Sequence, residues 1–385
     1  MKITEIALSL FAVPTNTARF DLVEQVTPAK QRWTVTRASM QQSGGAVTEP
    51  LHVLHVRTDE GIEGDCTIGD ARYTVMQPAE LEQLRILTLG ADPFDRERLF
   101  AKLHAATRNM FTRPGWFGAF DNCLWDIAGK AAGLPIYALL GRAREACPAY
   151  YNSGGKTKAA VVEDSLKAVA LGFSAVKDHL ANTADENIAW FAAIREAVGP
   201  QVTLLHDAVL SHYTYEEALR VGRALQDLRF LWLEEPLADR NQRGLQSLCA
   251  ALDIPVLAPE TLMNDLELSA QWLISGATDW LRGNARVGVT GLLKLAHLAE
   301  MHNARIELNG PGGLFGLVHA HLVCALQNTS YYEYFPGGTR DALGQEIGLL
   351  NPPLPQNGMI RPPDGPGWGA EWDWAYFAKK RVAML

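Results

Sequence analysis

The stretch FLWLEEPLAD, residues 230–239, decides how the rest of the chain is read. Phe230 to Leu233 have the character of a buried strand of large apolar side chains. Glu234 and Glu235 then arrive together, and Pro236 stops the run. A carboxylate at the end of a buried strand is costly unless a cation or a hydrogen-bond donor meets it, so the stretch asks what meets Glu234. Side chains alternate on a strand, which sends Glu235 away from Glu234 and toward a structural hydrogen bond with the flanking loop.

Outward from this stretch the chain keeps one rhythm. From about residue 146, short apolar runs alternate with amphipathic helical segments: PAYYNS, SAVKDH, VTLLHDAV, FLWLEEP, IPVLAPE, TDWLRGN, ARIELNG and YYEYF. Eight strands separated by helices predict an α/β fold, a closed (β/α)8 barrel with right-handed crossovers. A doubly wound open sheet would need a Gly-rich phosphate turn after its first strand, and none is present.

Polar residues end these runs at regular intervals. Asp207, Glu234 and Glu260 end three successive strands, at the spacing of one βα unit, on the face where barrel sites are built. A single acid at a strand end is ordinarily a solvated loop residue or a helix N-cap. Three at matched spacing would repel one another unless a cation bridges them. Carboxylate oxygens with open positions suit an octahedral divalent ion, Mg²⁺ above all. Lys177 and His179 share one face of the preceding strand, with Asp178 on the other, and Asn284, Asn309 and Glu333 continue the series downstream. A lysine beside a dication has its charged form disfavoured, which opens base chemistry to Lys177. His179 titrates near neutrality without such help.

Composition bounds the rest. The 385 residues are 48% apolar and 20% charged, ordinary for a large globular core. A formal charge of −8 leaves no electrostatic footprint for nucleic acid or an anionic membrane. Five scattered cysteines without CxxC spacing argue for reduced thiols and a cytoplasmic location. MKITEIALSLFAVP, interrupted by Glu5, predicts an edge or meander strand in preference to a signal peptide, and no window of 18 apolar residues predicts a membrane span. LHVLHVRTDEGIEGDCTIG (51–69) predicts a hairpin turning at Asp59-Glu60-Gly61, and residues 78–141 predict helices. Between the first strand and the hairpin, residues 14–49 show no clear period; the segment predicts either a peripheral loop or a flap whose Trp33 and Arg37 bind substrate.

Several motifs in order resemble the enolase superfamily, and within it the mandelate racemase-like group. GAFDNCLWDIAGKAAGLPIYALLG (118–141) is similar to the family's cap–barrel junction, LEEP with Asp207, Glu234 and Glu260 to its metal ligands, VGVTGLLKLA to its turn after the sixth strand, and NGMIRPPDGPGWG (357–369) to its returning C-terminal segment. The resemblance covers nearly the whole chain. It implies a modified barrel of (β/α)7β type over residues 141–350. It also implies an α+β capping domain from residues 1–140, completed by 351–385, and a homo-oligomer. It further implies Mg²⁺-assisted removal of the proton α to a carboxylate, with Glu333 hydrogen-bonding the substrate carboxylate. The departures shape the expected chemistry. His179 stands where the group has a second lysine, and Asn284 and Asn309 stand near the positions of an Asp–His pair. The leading expectation is an acid-sugar dehydratase giving a 2-keto-3-deoxy acid, with His179 or Lys177 as base. Racemisation or epimerisation of a 2-hydroxy acid, and a non-catalytic metal-binding protein, are the alternatives.

Overall fold

The computed structural model describes residues 1–14, 19–26, 31–38, 48–69, 75–110, 112–208, 213–310, 313–336 and 342–385; the strands at 19–26 and 31–38 are described by their backbone alone. Each of the eight apolar runs is a strand: Cys147–Asn152, Ala175–Asp178, Thr203–Asp207, Phe230–Glu234, Val256–Ala258, Trp280–Gly283, Ile306–Leu308 and Tyr332–Tyr334. They pair in parallel and in sequence order, and the eighth returns to pair with the first. Helices alternate with the strands, as a parallel sheet requires of its crossovers. Two begin with the reciprocal capping pattern, Thr183 with Glu186 and Thr214 with Glu217, which satisfies amide donors that a helix start leaves free.

Between the seventh and eighth strands no ladder forms among the described residues. A side chain bridges the gap instead. Glu307, buried on the seventh strand, accepts from the amides of Ser330 (3.0 and 3.1 Å) and Tyr331 (3.3 Å) just before the eighth. Burial raises the pKa of this carboxyl, and the amide donors act against that.

Alternation along the strands builds the interior in layers. Tyr150, Ala175, Leu205, Trp232 and Leu257 form one buried cluster, joined by Trp280 and Tyr331. Two residues further along their strands lie Asn152, Lys177, Asp207, Glu234, Arg282 and Glu333, all buried. The apolar layer floors the barrel, and the polar layer stands above it at the carboxyl ends of the strands.

A four-stranded antiparallel sheet packs beside the barrel, in the order Ala383–Met384, Ile3–Pro14, Thr48–Thr58 and Glu63–Thr67. The expected hairpin is therefore present, turning at Gly61, whose φ of +78° suits a residue without a Cβ. The helix Gly118–Ala132 joins this sheet to the barrel. Asp121 Oδ2 accepts from the Thr290 amide (2.8 Å), Asn122 Oδ1 from the Val289 amide (3.1 Å), and Asn122 Nδ2 donates to the Ala285 carbonyl (3.0 Å). Its side chains thus cap the barrel helix Val289–Met301, whose preceding Gly288 offers no side chain for the task. Asp126 accepts from the amides of Trp368 (2.9 Å) and Asp65 (3.1 Å), tying the C-terminal segment to the same helix.

One expectation is corrected. Within residues 14–49, where no clear period was expected, the described segments Arg19–Val26 and Gln31–Ala38 pair as an antiparallel ribbon. Phe20 and Leu22 on one strand, and Trp33 and Val35 on the other, supply a period of two too short to stand out among polar neighbours.

Candidate active site at the strand ends

The second strand carries Lys177 into the interior because its neighbours Val176 and Asp178 occupy the other face. Asp178 points outward and meets His206 Nδ1 at 2.7 Å, which confirms the alternation from the outside. Lys177 Nζ lies 2.8 Å from Asp207 Oδ2, 2.7 Å from Glu234 Oε2 and 3.3 Å from Glu333 Oε1. Four strand ends, separated by up to 156 residues of chain, thus converge on one ammonium group. Burial would lower the lysine pKa, but Asp207 and Glu234 hold it well above the usual range. The sequence expectation of a lowered value is the case with a dication held by the same acids.

His179 stands two residues further out, with 31% of its side chain exposed and Nε2 3.4 Å from Asp207 Oδ2. Burial moves its pKa below the ordinary histidine value despite the pull of Asp207. Burial works against the Asp207 carboxylate too, yet Lys177 and His179 keep its pKa low. Glu234 is pushed up to about 8, mainly by burial.

Arg282 was not singled out from the sequence. It lies fully buried on the sixth strand, with Nε 2.7 Å from Glu234 Oε1 and 3.8 Å from Glu260 Oε2, and Nη2 3.3 Å from Glu333 Oε2 and 3.1 Å from the Tyr150 hydroxyl. The available signal was an arginine between Leu281 and Gly283 in an apolar run, sharing the face of Asn284. Asn284 itself serves the turn that follows: its Oδ1 accepts from the Arg286 amide (2.9 Å), and its Nδ2 donates to Asn309. Asn309 Oδ1 also accepts from Arg286 Nη2 at 3.2 Å. Glu333 accepts from the Gly310 amide (2.6 Å) besides its two cations. Burial would raise its pKa, but Lys177 and Arg282 hold it well below the usual range, so here it is an acceptor.

Glu235 departs from the alternation expected of it. Its φ of +48° turns the chain out of strand geometry at this residue. Burial and the nearby charges of Glu260, Asp207 and Asp239 push its pKa well above the carboxylate range. The side chains of Trp33 and Arg37 lie outside the described residues.

The acids fit a hard divalent cation on two observations. All three bring carboxylate oxygens, the donors Mg²⁺ prefers. Glu234 Oε1, fully buried, accepts no hydrogen bond, since the Arg282 Nε beside it is not aligned to donate. A second acidic group needs no ion. His55, Glu63 and Asp65 bring their ligand atoms within 4.8 Å of one another, but Arg57 (3.2 Å from Glu63) and Lys130 (3.8 Å from Asp65) already face them.

Comparison with known proteins agrees with this architecture. The family model described as "Enolase C-terminal domain-like" matches residues 160–376, and that of the "Mandelate racemase / muconate lactonizing enzyme, N-terminal domain" matches residues 24–141. A D-galactonate dehydratase family member from Catenulispora acidiphila is 27% identical over 360 residues, 84% of this chain and 83% of its own. A D-galactarolactone cycloisomerase from Agrobacterium fabrum is 30% identical over 342 residues, 83% of this chain and 88% of its own. The crystal structure of D-glucarate dehydratase from Agrobacterium tumefaciens complexed with magnesium superposes with a TM-score of 0.79 at 29% identity, covering all of both chains. With a barrel model over more than half its length and the matching N-terminal model before it, the chain belongs to the enolase superfamily, in its mandelate racemase-like group.

Proposed function

We propose that this protein is a Mg²⁺-dependent acid-sugar dehydratase, removing water from a polyhydroxy carboxylate to give a 2-keto-3-deoxy acid. The observation that carries the reading is the convergence of Lys177, Asp207, Glu234 and Glu333 at one point of the barrel mouth. Relatives named as dehydratases, and one of them crystallised with magnesium, support it. Asp207, Glu234 and Glu260 would hold the ion, which when bound neutralises charge developing on the substrate carboxylate.

His179 takes the base role because it is the one of the pair with an exposed edge. Lys177 is enclosed by three carboxylates and serves to fix them. His179 removes the C2 proton, the C3–O bond breaks as C2=C3 forms, and the same imidazolium returns the proton to the departing hydroxyl as water. The resulting enol tautomerises to the 2-keto acid. Asn309 and Asn284 hold the opposite side with amides, which hydrogen-bond a hydroxyl but exchange no proton with carbon. Trp33 and Arg37 on the 19–38 ribbon are assigned to the distal end of the substrate. The reading takes residues 1–140 with 351–385 as the cap and 141–350 as the barrel, which the pairing of Ala383–Met384 with Ile3–Pro14 supports. No described helix is long and apolar enough to cross a membrane; a cytoplasmic homo-oligomer is the form we assign, checked by fractionation and light scattering.

The test is incubation of each C2 epimer of candidate acid sugars in D₂O, followed by NMR. One epimer should lose water and the other should remain inert. Deuterium entering both, or interconversion, would mean a second base and favour the racemase reading. His179→Asn should lower turnover by about 10²–10⁴-fold; full activity would return the role to Lys177. No turnover of any acid sugar would leave the non-catalytic alternative.

A further inference from the structure

Arg282 stands where the divalent ion of the proposed function would have to act. Its Nε lies between Glu234 Oε1 (2.7 Å) and Glu260 Oε2 (3.8 Å), two of the three acids assigned to the ion. A guanidinium cannot shed its proton to make room, because arginine stays charged at every accessible pH. An incoming dication therefore meets a fixed like charge at its own ligands, in surroundings too buried for water to screen it.

The geometry also shows that this hold is loose at one end and firm at the other. The Nε contact with Glu234 is not aligned as a hydrogen bond, and both Nε and Nη1 are buried without one. Nη2, in contrast, donates to the Tyr150 hydroxyl (3.1 Å) and to Glu333 Oε2 (3.3 Å), neither of which belongs to the assigned ligand set. A small rotation could release Glu234 while Tyr150 and Glu333 keep the charge inside the barrel.

We propose that Arg282 is a resident counter-cation of the metal site: it neutralises Glu234 and Glu260 when the divalent ion is absent, and divalent binding exchanges the ion for the guanidinium at Glu234. The two acids thereby have a counter-charge beside them before loading, at a cost in metal affinity. This inference rests on the reading of the acid ladder as a Mg²⁺ site and adds what that reading lacks, a determinant of how tightly the ion binds.

The experiment is a calorimetric Mg²⁺ titration of wild type, Arg282→Gln, Arg282→Lys and Glu234→Gln, with no substrate present. Arg282→Gln should bind Mg²⁺ at least tenfold more tightly than wild type, and Arg282→Lys, which keeps the charge, should stay within about threefold of it. Equal or weaker binding by Arg282→Gln overturns the exchange, as does equal tightening in both variants, since charge would then not be the cause. Binding by wild type that survives Glu234→Gln, or no binding by any form, overturns the ladder reading itself and this inference with it. Should Arg282→Gln fail to fold, the wild-type crystal structure with Mg²⁺ decides: Arg282 Nε should have moved out of contact with Glu234 while Nη2 remains on Glu333. An unmoved guanidinium beside a bound ion overturns the proposal.

Discussion

Two regions of this molecule bury carboxylates in groups, and they treat them differently. On the helix Gly118–Ala132, Asp121 and Asp126 accept from the amides of Thr290, Asp65 and Trp368, and Lys130 sits 2.7 Å from Asp126. At the barrel mouth, Asp207, Glu234, Glu260 and Glu333 face two cations, Lys177 and Arg282, with one backbone amide, that of Gly310, reaching Glu333. One oxygen of Glu234 and two nitrogens of Arg282 go without a hydrogen bond. Acids saturated by backbone donors lock a joint. Acids held by side-chain cations, with one Glu234 oxygen left without a hydrogen bond, can exchange partners, which a binding site requires.

The largest expected effect tests the mouth. Glu234→Gln should weaken Mg²⁺ binding by on the order of a thousandfold, since even an outer partner of a ligand is worth tenfold to a hundredfold. The fold should persist, because the substitution keeps shape and relieves crowding. Calorimetry and circular dichroism together check it, and unchanged affinity would remove the mouth from the comparison.

The joint should respond in stability. Asp126→Ala strands the two buried amides of Asp65 and Trp368, so unfolding by urea should show a loss of about 3 kcal/mol. A loss below about 1 kcal/mol would mean that the joint is no more firmly built than the mouth.

A third acid group, in the sheet beside the barrel, sharpens the contrast by pH. His55 Nδ1 lies 2.6 Å from Asp65 Oδ1, and Nε2 lies 2.9 Å from Ser9 Oγ. Burial lowers its pKa, but Asp65 and Glu63 outweigh this and raise it to about 9. The folded value thus exceeds the unfolded one near 6.5, so the protonated pair contributes fully below about pH 6.5 and is lost as pH rises through about 9. Melting temperatures between pH 6 and 9.5 should fall more steeply for wild type than for His55→Asn, with on the order of 2 kcal/mol at stake. Parallel curves would remove the pair from the stability of the sheet.

Much of this architecture was legible before any coordinates. Strands and helices follow from local periodicity, and the length of one βα unit places Asp207 and Glu234 as the last residues of their strands and Glu260 two residues past Ala258 on the next. Lys177 and His179 followed from the same rule. Local rules also explain where the reading stopped. The sixth strand is four residues long, and which of Arg282 and Asn284 enters the acid cluster depends on strand register and on the turn that Asn284 caps. The end of strand geometry at Glu235 comes from a positive φ that no propensity for glutamate would suggest.

The sequence by itself therefore determined the fold class, the family, the order of the strand-end groups and the hard-oxygen character of the site. Those properties are set within one βα unit or repeated between units. Only the tertiary structure decided that Lys177 is held charged by the acids around it, that Glu307 bridges the seventh and eighth strands, and that a second buried cation, Arg282, stands beside Glu234. Each of these depends on distances between segments far apart in the chain, where burial strengthens charge interactions and a few ångströms decide which partner wins.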